Sequence, residues 1–340
     1  MDIQGALATL FDRHDLPQED AKAVFIEVMS GNATPGQIGA LLAALRVKGE
    51  TAEEIAGAAE AMRSLSTKVD VDVPYLVDTC GTGGSGAKLF NVSTAAAFVA
   101  AAAGAHVAKH GNRKMTSFSG SADVLEAAGV NISLAPEQIA HCIREVGVGF
   151  LFAQAHHSAM RHAAPVRQEL GARTIMNVLG PLTNPAGARN QVLGVFSAAW
   201  QTTLAEVLKL LGASHVLVVH GNGLDELALE GPSYVVELTA GTISEYEIEP
   251  ADFGLKATSH EELRADSPET SLALLKRSLT EPDSSAADIV SLNAGAAIYA
   301  AGVATSFKNG VTMAQDAIAA GLANERLSEL ARISSMMAEP

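Results

Sequence analysis

Along the first ~70 residues, apolar positions recur at helical spacing between recognisable start and stop signals. Pro17 stands at a plausible first helical position with Gly31 after the run, and Thr34-Pro35 opens a second segment closed by Gly49. Thr51 and Glu54 have capping-box spacing ahead of Ile55, Ala59 and Met62, which share one helical face. No strand signal interrupts this stretch, so a helical unit is predicted. From Tyr75 the pattern changes to short apolar runs separated by helical stretches: Tyr75-Leu76-Val77, Val107-Ala108, Phe150-Leu151-Phe152, Val192 to Phe196 and Val216 to Val219. Such runs are buried strands of a largely parallel sheet flanked by helices. Tyr234 to Leu238 and Ile243 to Ile248, around Ala240-Gly241-Thr242, form a hairpin at the edge or end of that sheet. After Pro268 the pattern is helical again, with Pro282 to Ser285 as a loop, and there is no internal repeat. The fold class is α/β, with a small helical domain beside a larger α/β one.

Composition narrows the function. A chain of 340 residues with 48% hydrophobic residues can bury a sizeable core, and only 4% are aromatic, which favours close packing through small side chains. The net charge of −15 repels phosphodiester backbones and argues against a nucleic-acid partner. One short basic segment, Lys109 to Lys114, is of a size to hold a single phosphorylated metabolite. Cys80 and Cys142 lie far apart and outside any C-x-x-C spacing, so neither a disulfide framework nor a structural zinc site is indicated. The amino terminus has no basic n-region, and the longest apolar run, Ala95 to Ala105, falls short of the ~18 residues of a membrane span. A cytoplasmic protein with no membrane partner is expected.

Four segments carry candidate chemistry. The first is Asp78-Thr79-Cys80-Gly81-Thr82-Gly83-Gly84-Ser85-Gly86, after a predicted strand and before Asn91-Val92-Ser93-Thr94, which opens an alanine-rich helix. Glycines let backbone N–H groups approach a phosphate, and the helix start adds free donors and a positive dipole end. Taken alone, the segment reads equally well as a plain turn, and it lacks the P-loop ending and the dinucleotide G-x-G-x-x-G frame. The second is Lys109 to Ser117, followed by Ser119-Gly120-Ser121; its three cations and several hydroxyls suit a polyanion, with a solvated basic loop as the alternative. The third is Asp225-Glu226 after the turn His220-Gly221-Asn222-Gly223, a pair suited to magnesium shared with substrate phosphates, or else an ordinary surface pair. The fourth runs from Arg161 through Pro165-Val166-Arg167 and Arg173 to Asn184-Pro185. An arginine in a helical frame there matches a carboxylate, although Arg161 and Arg173 also suit structural pairing. His156, His157 and His162 offer no established metal-ligand spacing.

Together and in this order, the helical start, the GTGG loop, the N-V-S-T helix start, the K-H-G-N-R loop, the P-V-R segment, the N-x-L-G-P-L-x-N-P stretch and the Asp-Glu pair resemble the anthranilate phosphoribosyltransferases of tryptophan biosynthesis over essentially the whole chain. The resemblance implies a helical domain of residues 1–72 with a further piece at about 165–190, an α/β domain of 73–164 and 191–340, a cleft between them and a homodimer through the helical domain. It implies transfer of the 5-phosphoribosyl group of phosphoribosyl pyrophosphate (PRPP) to the amino group of anthranilate, releasing pyrophosphate. PRPP would be held by Gly81, Gly84, Ser85, Leu89, Asn91, Val92, Ser93, Thr94, Lys109, His110, Gly111, Asn112, Arg113, Lys114, Met115, Thr116, Ser117 and Ser121. Gly81, Asn112 and Arg167 would contact anthranilate. Ser93, Asp225 and Glu226 would hold two magnesium ions per subunit, with no residue assigned as an acid or base.

Two positions depart from the family's pattern: the loop that usually reads GTGGDG has Ser85, and a threonine often found a few residues on is Leu89. The first change removes a carboxylate beside the phosphate site and the second a hydroxyl. Two rivals are weighed. A pyrimidine nucleoside phosphorylase shares the architecture but usually carries Lys-His-Ser-Thr-Gly-Gly where this chain has Asp78-Thr79-Cys80-Gly81-Thr82-Gly83. A non-catalytic relative that binds nucleic acid sits poorly with the charge of −15 and the retained Asp225-Glu226 pair.

Overall fold

A computed structural model of the chain describes residues 1–113 and 119–337. Four helices open it: α1 (Ile3–Phe11), α2 (Gln18–Met29), α3 (Pro35–Lys48) and α4 (Ala52–Ser64). The last three begin where the punctuation predicts and α2 and α3 also end there, with Pro17 as the N-cap of α2 rather than its first residue. The sequence reading did not mark α1, whose cap is a single hydrogen bond from the Gly5 amide to Asp2. Thr34 and Thr51 both form complete capping boxes. In the second, Glu54 is fully buried, and its carboxylate accepts from the amides of Thr51 and Leu16, each at 2.9 Å, and from Lys48 Nζ at 3.0 Å. A buried carboxylate is tolerated only when satisfied in this way, so one side chain fastens the end of α3, the start of α4 and the approach to α2.

The rest of the described chain runs β1 (Leu76–Asp78), α5 (Val92–Ala102), β2 (His106–Gly111), α6 (Ser121–Ala127), α7 (Pro136–Val146), β3 (Val148–Phe152), α8 (Ala153–His156), α9 (Ala164–Leu170), β4 (Asn190–Gly194), α10 (Gln201–Leu210), β5 (His215–Gly221), β6 (Ser233–Thr239), β7 (Thr242–Ile248) and α11 to α14 (Pro268–Thr280, Ser285–Ala300, Phe307–Ala319, Leu322–Met336). The strands form one sheet in the order β3-β2-β1-β4-β5-β6-β7; the first five are parallel and β6 and β7 antiparallel. The hairpin predicted at the edge is there. Its two-residue turn puts Ala240 and Gly241 at φ +48° and +76°, the left-handed pair that a tight hairpin requires, and Thr242 already belongs to β7.

Successive strand residues point to opposite faces, and the two main cores follow from that. Val192, Leu217 and Val219 join the core beneath α5 and α12, while Leu193, Val216 and Val218 join the core shared with α2, α4 and α10. The four-helix unit therefore does not stand apart: its apolar faces are completed by one side of the sheet and by Val166, Ile175, Met176 and Leu179 of the segment from α9 onward. Arg63 of α4 ties into that segment by donating to the Leu182 carbonyl at 2.7 Å. Among the described residues no helix is long and apolar enough to cross a membrane.

The contact between α2 and α4 depends on Gly57. A Cβ added there would lie 2.3 Å from the Gln18 carbonyl oxygen and 2.8 Å from the Lys22 nitrogen, both backbone atoms that cannot turn aside. Gly57→Ala is expected to destabilise the protein by about 1–3 kcal/mol through this overpacking, despite the ~1 kcal/mol that alanine gains over glycine within a helix. Urea unfolding followed by circular dichroism checks the sign; a midpoint equal to or above that of the parent would show that the two helices separate without cost.

Candidate active site

The strand order changes direction between β1 and β4, and in open α/β sheets ligands bind at the carboxyl ends of strands beside such a point. A cavity of about 830 Å³ opens there. The loops after β1, β2 and β5 form one wall; Met62 of α4 and residues of the 157–181 segment, among them Arg167 and Arg173, form the other.

At its base lies Asp78, the last residue of β1, almost wholly buried. Its carboxylate accepts from the His110 amide at 3.1 Å and from Asn184 Nδ2 at 2.7 Å, and Asn184 also donates to the Ala108 carbonyl at 2.9 Å. Burial pushes the Asp78 carboxyl up to about 6, against the pull of Lys109 and these hydrogen bonds. Lys109 is 3% exposed, and its ammonium donates to the Thr79 carbonyl at 2.7 Å, so a buried cation stands among the acidic groups of the site.

The glycine loop takes its shape from Gly83, Gly84 and Gly86, all at φ between +66° and +85°. Thr82 anchors its start: its amide donates to the Gly194 carbonyl at 2.8 Å, and its hydroxyl accepts from the Phe196 amide at 3.1 Å. Arg173 reaches over from the opposite wall, donating to the Gly84 carbonyl at 2.7 Å with its guanidinium 4.0 Å above the Phe196 ring. The segment at Leu89 is held by a bridge to Arg264, so its backbone is fixed while its side chain lies partly against the core. Asn91 does not cap α5 with its side chain; its Oδ1 accepts instead from Ser271 Oγ at 2.7 Å and Ser119 Oγ at 3.0 Å.

Of the residues expected around PRPP, Gly81, Gly84, Ser85, Leu89, Asn91, Ser93, Lys109, His110, Gly111, Asn112, Arg113 and Ser121 line this cavity. Val92 and Thr94 do not; both are buried at 1% exposure, Thr94 behind the wall with its hydroxyl donating to Ser121 Oγ at 3.1 Å. Lys114, Met115, Thr116 and Ser117 lie outside the described residues. Arg113 lines the cavity, yet its guanidinium is paired with Glu126 and Asp123 of α6, so its charge is partly spent.

Asp225 and Glu226 follow a tight turn after β5, in which Asn222 and Gly223 take φ of +47° and +81°. Two features fix them. Asn293 of α12 clasps the next residue, accepting from the Leu227 amide and donating to its carbonyl, each at 3.0 Å. Gly194, the last residue of β4, lets the backbone of Asp225 pass directly over it: a Cβ there would fall 1.8 Å from the Asp225 carbonyl oxygen. Burial, then the neighbouring Asp225, push the Glu226 carboxyl up to about 8, opposed by Lys109 and by the amide and hydroxyl of Ser93. A water-sized hollow of about 10 Å³ is bounded by Ser93, Asp225, Glu226 and Asn293 among others. Crowded carboxylates short of positive charge, with oxygen donors around them, fit a hard divalent cation.

Arg167, on α9, faces the cavity half-buried, and burial lowers its pKa. Among the described residues its guanidinium has neither an ion pair nor a hydrogen bond, a costly state unless an anion completes it.

Sequence reasoning did not single out Gly194, Asn293 or the latch made by Arg173 and Phe196, and it read Asn184 only as part of a stretch. A lone asparagine in the apolar helix Ser285–Ala300 was the one visible signal.

The chain matches the family described as "Glycosyl transferase family, helical bundle domain" over residues 4–66 and "Glycosyl transferase family, a/b domain" over residues 73–324. It is 57% identical to the anthranilate phosphoribosyltransferase of Hahella chejuensis, over 100% of this chain and 99% of that protein. Among solved structures, the anthranilate phosphoribosyltransferase of Thermus thermophilus superimposes with a TM-score of 0.93 at 46% identity, covering 97% of this chain and 99% of that one. The Saccharomyces cerevisiae enzyme in complex with PRPP and Mg gives 0.89 at 27% identity, covering 98% of each.

Gly194→Ala would push the 222–226 turn away from β4. Hydrogen exchange at the Leu224 and Leu227 amides is expected to accelerate, and divalent-cation binding to weaken by roughly tenfold or more, equivalent to about 1.4 kcal/mol. Unchanged exchange and binding would mean that Asn293 alone positions the carboxylates.

Proposed function

Since the chain belongs to this glycosyl transferase family, and within it to the anthranilate phosphoribosyltransferases, we infer that it transfers the 5-phosphoribosyl group from PRPP to the amino group of anthranilate, giving N-(5-phosphoribosyl)anthranilate and pyrophosphate with the help of magnesium. One observation carries the assignment of roles: an unpaired guanidinium and a cation-hungry carboxylate pair line the same cavity, on different structural units.

On this reading Arg167 holds the anthranilate carboxylate, with Gly81 and Asn112 beside it, so that the neutral aromatic amine faces the ribose. The amine already has a free lone pair, and no side chain is needed to take its proton before attack. The glycine loop from Gly81 to Ser85, together with Leu89, Asn91, Ser93, Lys109 to Arg113 and Ser121, surrounds PRPP; Val92 and Thr94 act from behind by building the wall. Lys109 meets the negative charge that develops on the departing pyrophosphate, and its tether to the Thr79 carbonyl keeps it from swinging away. Ser93, Asp225 and Glu226 would hold magnesium, two ions per subunit, which would supply positive charge against the pyrophosphate leaving group. The main contribution of the protein is to hold two substrates in reacting register across a cleft.

The change to Ser85 leaves the glycine loop without a carboxylate beside the phosphates, and the loop is held instead by Arg173 on the Gly84 carbonyl. We also propose a cytoplasmic homodimer formed through the helical unit. Phe11 at the end of α1 and Val47 in α3, on two neighbouring helices, are 64% and 74% exposed and are apolar side chains that such an interface would cover.

Loss of anthranilate fluorescence on addition of PRPP and magnesium tests the activity directly; no change with folded protein would reject it. Arg167→Ala is expected to raise the KM for anthranilate by roughly ten- to a hundredfold, the equivalent of about 1.5–3 kcal/mol for a charge-assisted contact, with much less effect on PRPP. Equal effects on both substrates would make Arg167 structural. Replacing Asp225 by Asn and Glu226 by Gln together should lower turnover on the order of a hundredfold or more at any magnesium concentration, since metal stabilisation of the leaving group is worth several kcal/mol. Normal turnover in that folded variant would remove both residues from the metal site.

A further inference from the structure

A second group of metal-ligating side chains lies at the ends of β1 and β2, across β4 from the Asp225-Glu226 pair that follows β5, and the reaction has no use for it as a group. β1 and β2 are parallel with Val77 beside Val107. Residues two apart along an extended chain share a face, so Asp78 at the end of β1 and Cys80 just past it fall on the side of His110, the penultimate residue of β2. The three are buried, and one ligand atom from each lies within 4.8 Å of the other two. Cys80 and His110 also line the substrate cavity, so the group is open to solutes that enter there.

His110 supplies an independent observation. It is 1% exposed and packs edge-on against the His157 ring at 5.2 Å between centroids, with the Gly180 backbone also near, yet among the described residues neither ring nitrogen makes a hydrogen bond of ordinary geometry. Buried polar atoms without partners are rare and commonly mark a place for a water or an ion. Burial keeps the imidazole neutral, the form that binds a metal. The Asp78 oxygens each accept one hydrogen bond, which leaves lone pairs free. Lys109, anchored on the Thr79 carbonyl, is the charge that opposes a cation here. It therefore selects by type of bond. A hard ion attracted by charge gains little beside an ammonium, whereas a thiophilic ion gains a sulfur–metal bond.

We propose that Asp78, Cys80 and His110 form a site for a thiophilic divalent cation such as Zn²⁺, distinct from the magnesium site, with an oxygen from the cavity as fourth ligand. On binding, the Cys80 thiol gives its proton to solvent and forms the metal–sulfur bond, His110 donates a ring lone pair, and Asp78 donates a carboxylate oxygen. An ion among the three would need each donor atom at the ~2.0–2.3 Å of a zinc bond, which side-chain rotation would have to supply. The occupied site projects into the cavity wall, so zinc inhibits the enzyme and excess magnesium does not relieve it.

The test uses the full chain in saturating magnesium, with Zn²⁺ titrated against a chromophoric chelator and Co²⁺ as a spectroscopic probe. One zinc per chain is expected, together with a thiolate-to-cobalt charge-transfer absorption. Cys80→Ser and His110→Gln, each checked for folding by circular dichroism, should weaken zinc binding at least tenfold, and Cys80→Ser should abolish the absorption. Cys142→Ser should change neither, and nor should the Asp225→Asn, Glu226→Gln double variant. The proposal is overturned if no zinc binds over magnesium, if the cobalt band survives in Cys80→Ser, or if binding is lost in the Asp225/Glu226 variant instead. Because every readout is metal binding, failure here leaves the assigned transferase activity untouched.

Discussion

The buried carboxylate of Asp78 is the constraint on which the site depends. A charge taken out of water is costly unless hydrogen bonds within the protein offset it, and Asp78 accepts them from two directions at once. The His110 amide comes from β2, and the Asn184 side chain comes from the segment that also carries α9 and seals the helical bundle. The sheet and the far wall of the cleft are thus joined at one residue. With Asp78 set, Lys109 next to His110 lies within its field and beside the Thr79 carbonyl, which is how an ammonium comes to be buried at the centre of an acidic site.

From there the site is built by close approach. Gly194 has no side chain, so the Asp225 backbone can cross the end of β4, and Gly81 likewise lies with its Cα facing the Asp225 carboxylate. The segment after β1, the end of β4 and the segment after β5 are drawn into contact. Asn293 performs the opposite task from below, fixing Leu227 through both of its backbone groups so that the crowded carboxylates cannot relax apart. The result is a charge deficit held by packing: burial and proximity push Glu226 to about 8, and a divalent ion relieves both.

The far wall is built on a different principle. Among the described residues Arg167 has no ion pair or hydrogen bond, while its neighbour Arg173 donates to the Gly84 carbonyl and lies over the face of Phe196. Two arginines six residues apart on one segment therefore differ, one latching the glycine loop to the opposite unit and one left open toward the cavity. Arg113 makes the same point from the other side. A cation on a loop that looks made for phosphates is largely held by Glu126 and Asp123, because α6 brings those acids beside it.

Local sequence determined the elements and the chemical vocabulary. The helix start at Thr34-Pro35, the capping box at Thr51, the apolar runs of strand length and the hairpin around Ala240-Gly241 are short-range effects, fixed by residues a few positions apart, and they read correctly from the chain. The glycine loop, the basic loop and the Asp225-Glu226 pair were visible for the same reason: each is a contiguous cluster whose composition is itself the signal. Helix α1, whose cap is a single aspartate, carried too weak a local signal to be read. What only the tertiary structure decided is how residues far apart in the chain share space: that Gly194 must be a glycine because Asp225 crosses it, that Asn184 completes Asp78, that Asn293 holds Leu227, that Arg113 is spoken for and Arg167 is not, and that Asp78, Cys80 and His110 converge on one point. Pairing and steric approach depend on distance in space, and a single sequence records only distance along the chain.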